Sequence, residues 1–417
     1  GGTTLFSKRS ELHLPDKWPA YFIKAKKINV WDLEGNKYLD MFCAVGTSIL
    51  GYGNDKVNKS VQINIKKGNM TSLNCPEEVY LSKKLIKHHP WASMVKFTRG
   101  GGEANSVAIR IARSCTKKKN IAFCGYHGWH DWYLSANLTK KNTLGKDHLK
   151  NLSTIGVTKK LKGQVFNFKY NDYEALKKLI RKEKIGTVIM EVERNIKPKN
   201  NFLKKIRSIT KKNKVILIFD ECTSAFRETY GGLHKKYRVN PDIAIFGKAL
   251  GNGYAINAVI GSKKVMMKAK NSFMSSTFWS ERIGPSAAIA TLNEMRRLRS
   301  WEYISKLGKY IKDNWHEIAK KNKLEINISG LSSICSFTFK KNNQLLKTFI
   351  TQEFLKKNIL ASNTIYVSTK HNKKNLKKYF VILDKIFKKI KKLEEKNKIN
   401  KTIVKNNVSV AKFEMLN

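Results

Sequence analysis

Acidic side chains are scarce in this chain: 31 Asp and Glu stand against 82 Lys and Arg, giving a formal net charge of +51 over 417 residues. A chain this basic would bind phosphate polymers with steeply salt-dependent affinity. Arginine is scarce as well. It supplies 13 of those cations, and none follows Arg299. Base reading and bidentate phosphate contacts favour arginine over lysine, whereas runs such as Lys117-Lys118-Lys119 and Lys391-Lys392 read as solvated faces. A nucleic-acid-binding protein is therefore only a remote alternative, and nucleic acid is not an expected partner.

Cysteine is sparse too. The six thiols, at 43, 75, 115, 124, 222 and 335, form no CxxC pair and no disulfide ladder, which excludes a structural zinc ribbon and fits a reducing compartment. No apolar run approaches the roughly 20 residues of a membrane span, and no charged-then-apolar leader opens the chain. The expectation is a cytoplasmic protein without a membrane partner.

What is present is enough to fold. Hydrophobic residues make up 41% of the chain, and the length exceeds that of a single core, so two lobes are expected. Short apolar runs recur at 94–98, 121–125, 187–191, 215–219 and 243–246, separated by helical periodicity or polar loops. That rhythm predicts a mostly parallel sheet buried on both faces. Residues 28–42 alternate around Glu34-Gly35-Asn36 and predict a hairpin. Amphipathic stretches near 300–321 and 374–396 predict two helices around SSICSFTF. The expected organisation is an N-terminal segment 1–65 and a C-terminal domain 301–417, together forming a smaller α+β lobe, with a large ligand-binding domain at 66–300.

In an open parallel sheet, ligands bind beyond the carboxyl ends of the strands. VILIFDE puts its first charge, Asp220, where one buried run ends, and DIAIFGK puts Lys248 at the end of another. If both strands share a sheet, an acid and an amine face one crevice. Around pyridoxal phosphate (PLP) such a pair has a chemical meaning. An amine in a site of lowered polarity becomes nucleophilic toward an aldehyde, and a carboxylate against the pyridine nitrogen keeps the ring protonated as an electron sink. Taken singly, Asp220 could be a salt bridge or helix cap, and Lys248 a surface lysine. Their joint occurrence at two strand ends favours function.

FTRGGGEANSVAIRIAR, 97–113, passes from strand through Gly100-Gly101-Gly102 into a helix with Ala104, Val107, Ala108, Ile111 and Ala112 on one face. Glycines let amides close on an anion at a helix N-terminus, although tight packing asks for the same residues, and neither GK[ST] nor GxGxxG is present. YHGWHD, 126–131, offers rings to a flat cofactor. His127 and His130 also permit a metal reading, but no third ligand has suitable spacing, so no metal is expected.

The run from FDECTSAFRE through IFGKALGNG, followed by SFMSSTFWSERIGPSAA, with GGGEANSVAIRIAR, YHGWHD and MEVERN in order before it, resembles the class III aminotransferases. These are PLP-dependent transferases of fold type I, and the branch concerned includes the glutamate-1-semialdehyde 2,1-aminomutases. The likeness covers roughly residues 28–300. It implies that Lys248 would bind the cofactor covalently and shuttle the proton, with Asp220 paired to the pyridine nitrogen. It also implies that Tyr126 would stack on one face of the ring and Cys222, where the family commonly has valine, would lie on the other. Gly101 and Gly102 would supply phosphate amides, and His127 and Glu191 would belong to the cofactor site, with Asn195 a weaker candidate for the ring hydroxyl. Ser276 and Thr277 would reach the cofactor phosphate of a partner subunit, implying a homodimer with shared sites.

Departures from the family pattern bear on the reaction. Gly100 and Gly102 replace hydroxyl residues of the aminomutases, and LPDKWPAYFIKAKK lacks the arginine these use near the substrate carboxylate. Arg227 is open between holding a substrate carboxylate and forming a structural ion pair. The expected activity is therefore transfer of an amino group between a small amino donor and a small carbonyl compound, such as a keto acid, aldehyde or keto sugar. Intramolecular transfer, as in an aminomutase, is the alternative.

Overall fold

The computed structural model describes residues 4–139, 152–405 and 407–410. Contacts divide the chain into two units, residues 55–297 and residues 1–54 with 298–417.

The larger unit is built on a seven-stranded sheet. Its order is Met94–Thr98, Asn257–Gly261, Ile243–Phe246, Ile216–Glu221, Ile185–Glu191, Asn120–Cys124 and Val165–Asn167. The last five pair in parallel. Asn257–Gly261 runs antiparallel to both neighbours, so six strands share one direction. Every residue of Ile185–Glu191 and of Ile243–Phe246 is buried, as continuous apolar runs demand when both sheet faces are covered. Helix Gly101–Thr116 packs on the sheet through Ala104, Val107, Ala108, Ile111 and Ala112, all buried. Val107 and Ile111, like the buried Ile109, each contribute about 1.5–3 kcal/mol of burial. The helix stops at Lys117, which takes a left-handed conformation with φ 55°. Helix Asp55–Ile65 also belongs to this unit.

The smaller unit joins the two chain ends. Phe22–Lys26, Asn29–Asp32 and Lys37–Asp40 form an antiparallel meander, to which Ile359–Leu360 adds in parallel. Ile326–Ser329, Ile334–Phe339 and Thr364–Tyr366 form a second antiparallel sheet. Helices Ser300–Lys321 and Lys373–Glu395 pack on each other, with Trp315 and Tyr379 fully buried and joined by a 3.1 Å hydrogen bond from the indole nitrogen to the phenol oxygen. Among the described residues, no helix is long and apolar enough to cross a membrane.

Candidate active site

Parallel pairing gathers the strand ends of the larger unit at one sheet edge, and the register sets Glu191 beside Asp220. Asp220 is 5% exposed. Its Oδ2 accepts from Asn105 Nδ2 at 2.9 Å and faces His127 Nδ1 at 2.9 Å, and its Oδ1 accepts the Cys222 N–H at 3.1 Å. Burial alone would raise the carboxyl pKa. The hydrogen bond and charge of His127, with the Cys222 and Asn105 bonds, outweigh it and hold Asp220 below its ordinary value. A carboxylate that stays ionised while buried is what a protonated pyridine nitrogen requires opposite it. His127 is fully buried and lies against this carboxylate, its other nitrogen 3.2 Å from the Cys124 carbonyl.

Lys248 follows strand Ile243–Phe246 by two residues and has φ 40°. A lysine in the left-handed region stores roughly 1–3 kcal/mol of strain, which persists where the surroundings impose it. Its Nζ donates to Thr223 Oγ1 at 2.7 Å. The amine and the acid thus flank one dipeptide: Asp220 is bonded to the Cys222 amide and Lys248 to the Thr223 hydroxyl. Cys222 Sγ, its thiol pKa pushed well up by burial and by Asp220, accepts from Asn257 Nδ2 at 3.5 Å. Asn257 opens the one antiparallel strand, and so it enters this edge from the opposite direction.

The glycine turn starts helix Gly101–Thr116 at the same edge. The first intrahelical bond there is from Ala104 N–H to the Gly100 carbonyl, which leaves the amides of Gly101, Gly102 and Glu103 as the unsatisfied donors of a helix N-terminus. A Cβ would be crowded at two of the glycines here, Gly102 and Gly128. A Cβ on Gly102 would lie 2.6 Å from His130 Nδ1, and one on Gly128 would lie 2.8 Å from Gly102 Cα. Close approach of this helix to the YHGWHD loop is therefore the physical reason why position 102 carries no hydroxyl side chain. His130 Nδ1 is buried without a hydrogen-bond partner.

Tyr126 is half-buried, its phenol pKa raised by desolvation, and its N–H donates to Glu191 Oε2 at 3.3 Å. Glu191 Oε1 lies 3.4 Å from Arg194. Asn195, four residues beyond Glu191, is exposed. Ser276 and Thr277 are exposed as well. Their loop is tied to the glycine turn by Arg99, which donates to the Trp279 and Glu281 carbonyls at 2.9 and 3.1 Å and pairs with the Glu281 carboxylate at 3.0 Å. Glu103 completes the tie, accepting from Trp279 Nε1 at 2.8 Å and from the Arg99 N–H at 2.8 Å. Arg227 is fully buried, with Nε donating to the Thr223 carbonyl at 2.5 Å.

Thr223, Asn105 and Asn257 escaped the sequence reading. Asn105 carried a signal, since it lies one turn into the helix that begins at Gly101. Thr223 carried a weaker one, three residues beyond the acid. No cluster of three metal-ligating side chains occurs among the described residues. The donor set suits a flat, phosphate-bearing ring: helix N-terminal amides for the anion, a half-buried imidazole beside them whose Nδ1 has no hydrogen-bond partner, an ionised carboxylate, an aromatic ring and an amine.

Comparison with known proteins agrees. The family model for aminotransferase class-III matches residues 15–374. The chain is 32% identical to the 3-aminobutyryl-CoA aminotransferase of Cloacimonas acidaminovorans over 82% of this chain and 81% of that one. It is also 32% identical to the glutamate-1-semialdehyde 2,1-aminomutase of Methanocaldococcus jannaschii, over 81% and 82%. In fold it is similar to the FumI protein of Sphingopyxis sp. MTA144, solved in a PLP form, with a TM-score of 0.83 at 21% identity and 93% and 92% coverage. The chain belongs to the class III aminotransferases, enzymes that depend on pyridoxal phosphate.

Proposed function

We propose that Lys248 and Asp220 carry amino-group transfer between a small amino donor and a small carbonyl acceptor, with each residue acting on one side of a PLP ring. The observation that carries this reading is their convergence on the Cys222–Thr223 dipeptide from neighbouring, co-directional strands. When bound, PLP supplies an aldehyde to an amine and a ring that withdraws electrons from the carbon bearing the amino group. Asp220 holds a proton on the ring nitrogen, and His127 and Asn105 hold Asp220. With PLP bound, Lys248 would be the base that takes the proton from the substrate carbon bearing the amino group and gives it back on the far side of that nitrogen, as an amine on a flexible stem can. The amides of Gly101 and Gly102 would bind the phosphate, Tyr126 and Cys222 would take the two ring faces, and Glu191 and Asn195 would take the ring-hydroxyl side.

A homodimer belongs to the same proposal. Phe273 is 86% and Phe278 64% exposed, and they bracket Ser276 and Thr277. Large apolar side chains left in water around two hydroxyls suit an interface with a second copy, through which those hydroxyls reach the partner subunit's phosphate. A cytoplasmic setting is supported by six free cysteines, none of them exposed.

The experiment is direct. Borohydride reduction of the PLP-loaded protein should fix the cofactor on Lys248, read by mass spectrometry, and an amino donor should bleach the bound chromophore, which a carbonyl acceptor restores. A second reading is favoured by the aminomutases among the relatives. It predicts conversion of a single compound with no external donor or acceptor. Absence of the Lys248 adduct would reject both readings.

A further inference from the structure

We infer that Thr223 is the positioning residue for the Lys248 amine, its hydroxyl serving as the acceptor that aims the amine whenever it is not bonded to the cofactor. The inference rests on the reading of Lys248 as the reacting amine. The contact is 2.7 Å from Nζ to Oγ1, and Thr223 is 8% exposed. The backbone carrying this hydroxyl is itself fixed. Arg227, fully buried, donates through Nε to the Thr223 carbonyl at 2.5 Å, and the Ala225 N–H closes the turn on the Glu221 carbonyl at 3.0 Å. A buried guanidinium therefore holds the loop that presents the hydroxyl.

On the other side, Lys248 is confined at its backbone by φ 40°, yet its ammonium ends a flexible four-carbon stem. Proton transfer depends on where that end points, because a base must come within hydrogen-bond reach of the proton it takes. Thr223 provides one fixed address for it. The hydroxyl accepts a hydrogen bond, the proton stays on nitrogen, and no bond is made or broken at Thr223. Acceptance also favours the ammonium over the neutral amine, since the bond to the charged form is the stronger. A proton collected from substrate is thereby kept on Lys248, in place, until it is returned.

The test uses cofactor-free protein first. Acetic anhydride labelling across a pH series, with the Lys248 peptide quantified by mass spectrometry, should show the T223V midpoint moved to lower pH by about one unit relative to wild type. T223S should coincide with wild type, and T223A should repeat T223V where valine packs poorly. With PLP loaded, the single-turnover rate with an amino donor should fall about tenfold in T223V, with the half-saturating donor concentration little changed and T223S restored. Superimposable labelling curves for wild type, T223V and T223A would overturn the inference. So would a T223S rate as low as that of T223V. A wild-type protein that reduction cannot tag at Lys248 would instead overturn the underlying reading, a result distinguishable because the labelling experiment contains no cofactor.

Discussion

Asp220 and Glu221 are neighbours at the end of one strand, and alternation sends their side chains to opposite sheet faces. Both are buried, and each meets a buried histidine, His127 on one face and His234 on the other. The resemblance ends there. Glu221 accepts from His234 Nδ1 and from the Leu233 N–H, and His234 Nε2 accepts from Trp91 Nε1 at 3.0 Å. His89 beside it donates to the Leu85 carbonyl at 2.8 Å and accepts from the Gly232 N–H at 2.9 Å. That network closes on itself. Asp220 instead accepts from Asn105, on the helix that begins at the glycine turn, and from the Cys222 N–H, next to the threonine that accepts from the Lys248 amine. A buried acid–histidine pair is thus no mark of a site; what lies on its far side decides.

The largest effect is expected on the open face. K248A should abolish turnover, by roughly 10^4-fold or more, while leaving a folded protein, checked by circular dichroism and donor-dependent turnover. D220N should lower kcat by roughly 10^2–10^3-fold, because an amide cannot hold a proton on the ring nitrogen as a carboxylate does, with denaturation midpoints moved far less than activity. Equal turnover of D220N and wild type would erase the distinction between the two faces.

The closed face should answer in stability. In E221Q an amide NH₂ must meet either the His234 N–H or the Leu233 N–H, leaving a buried donor unmatched, so the chain should lose about 3 kcal/mol in urea unfolding. Activity per folded, PLP-loaded molecule should stay near wild type. A smaller effect is expected at the glycine turn. G102A forces a methyl against His130 and should cost about 1–2 kcal/mol, with PLP affinity, measured by titration of the chromophore, falling as His130 shifts.

How far the sequence foretold this difference follows from which forces are local. Strands Met94–Thr98 and Ile243–Phe246 were legible to the residue, because both are short, largely apolar runs that end against Arg99 and Gly247. Asp220 and Lys248 were legible for the same reason, each being a charge that follows a buried run. The antiparallel strand Asn257–Gly261 was not, since its direction is set by pairing with Met94–Thr98 and Ile243–Phe246, and NAVIG itself says nothing of direction. Nor could DE reveal which partners each acid would find. Its two carboxylates differ only in partners from residues 89–91, 105, 127 and 233–234, far away in sequence. The hydroxyl of Thr223 looked like any loop threonine until the lysine came to rest on it.

The last expected difference between the two faces concerns acid. Burial drives His89 from its ordinary value of 6.5 down to about 3, so the folded chain keeps it neutral where the unfolded chain protonates it. Between those values the unfolded state binds the extra proton, and stability must fall as pH falls through that window, by up to about 1.4 kcal/mol per pH unit from this group. Asp220, held below its ordinary 3.8, loses its contribution only in more acidic solution. Near pH 5 His89 therefore makes the closed face acid-sensitive, while His88 and, on the open face, His130, both lowered from 6.5 by desolvation, add slopes of the same sign. His371 in the smaller unit, lowered to about 4 by burial, adds a slope of the same sign, so the measurement must be a difference. H89Q keeps a donor for the Leu85 carbonyl and an acceptor for the Gly232 N–H but cannot take up a proton. Urea unfolding at pH 7, 6 and 5 should show the H89Q line shallower than wild type by close to one proton. Parallel lines would mean that acid sensitivity does not originate at His89, and that the closed face is distinguished from the open one by its geometry alone.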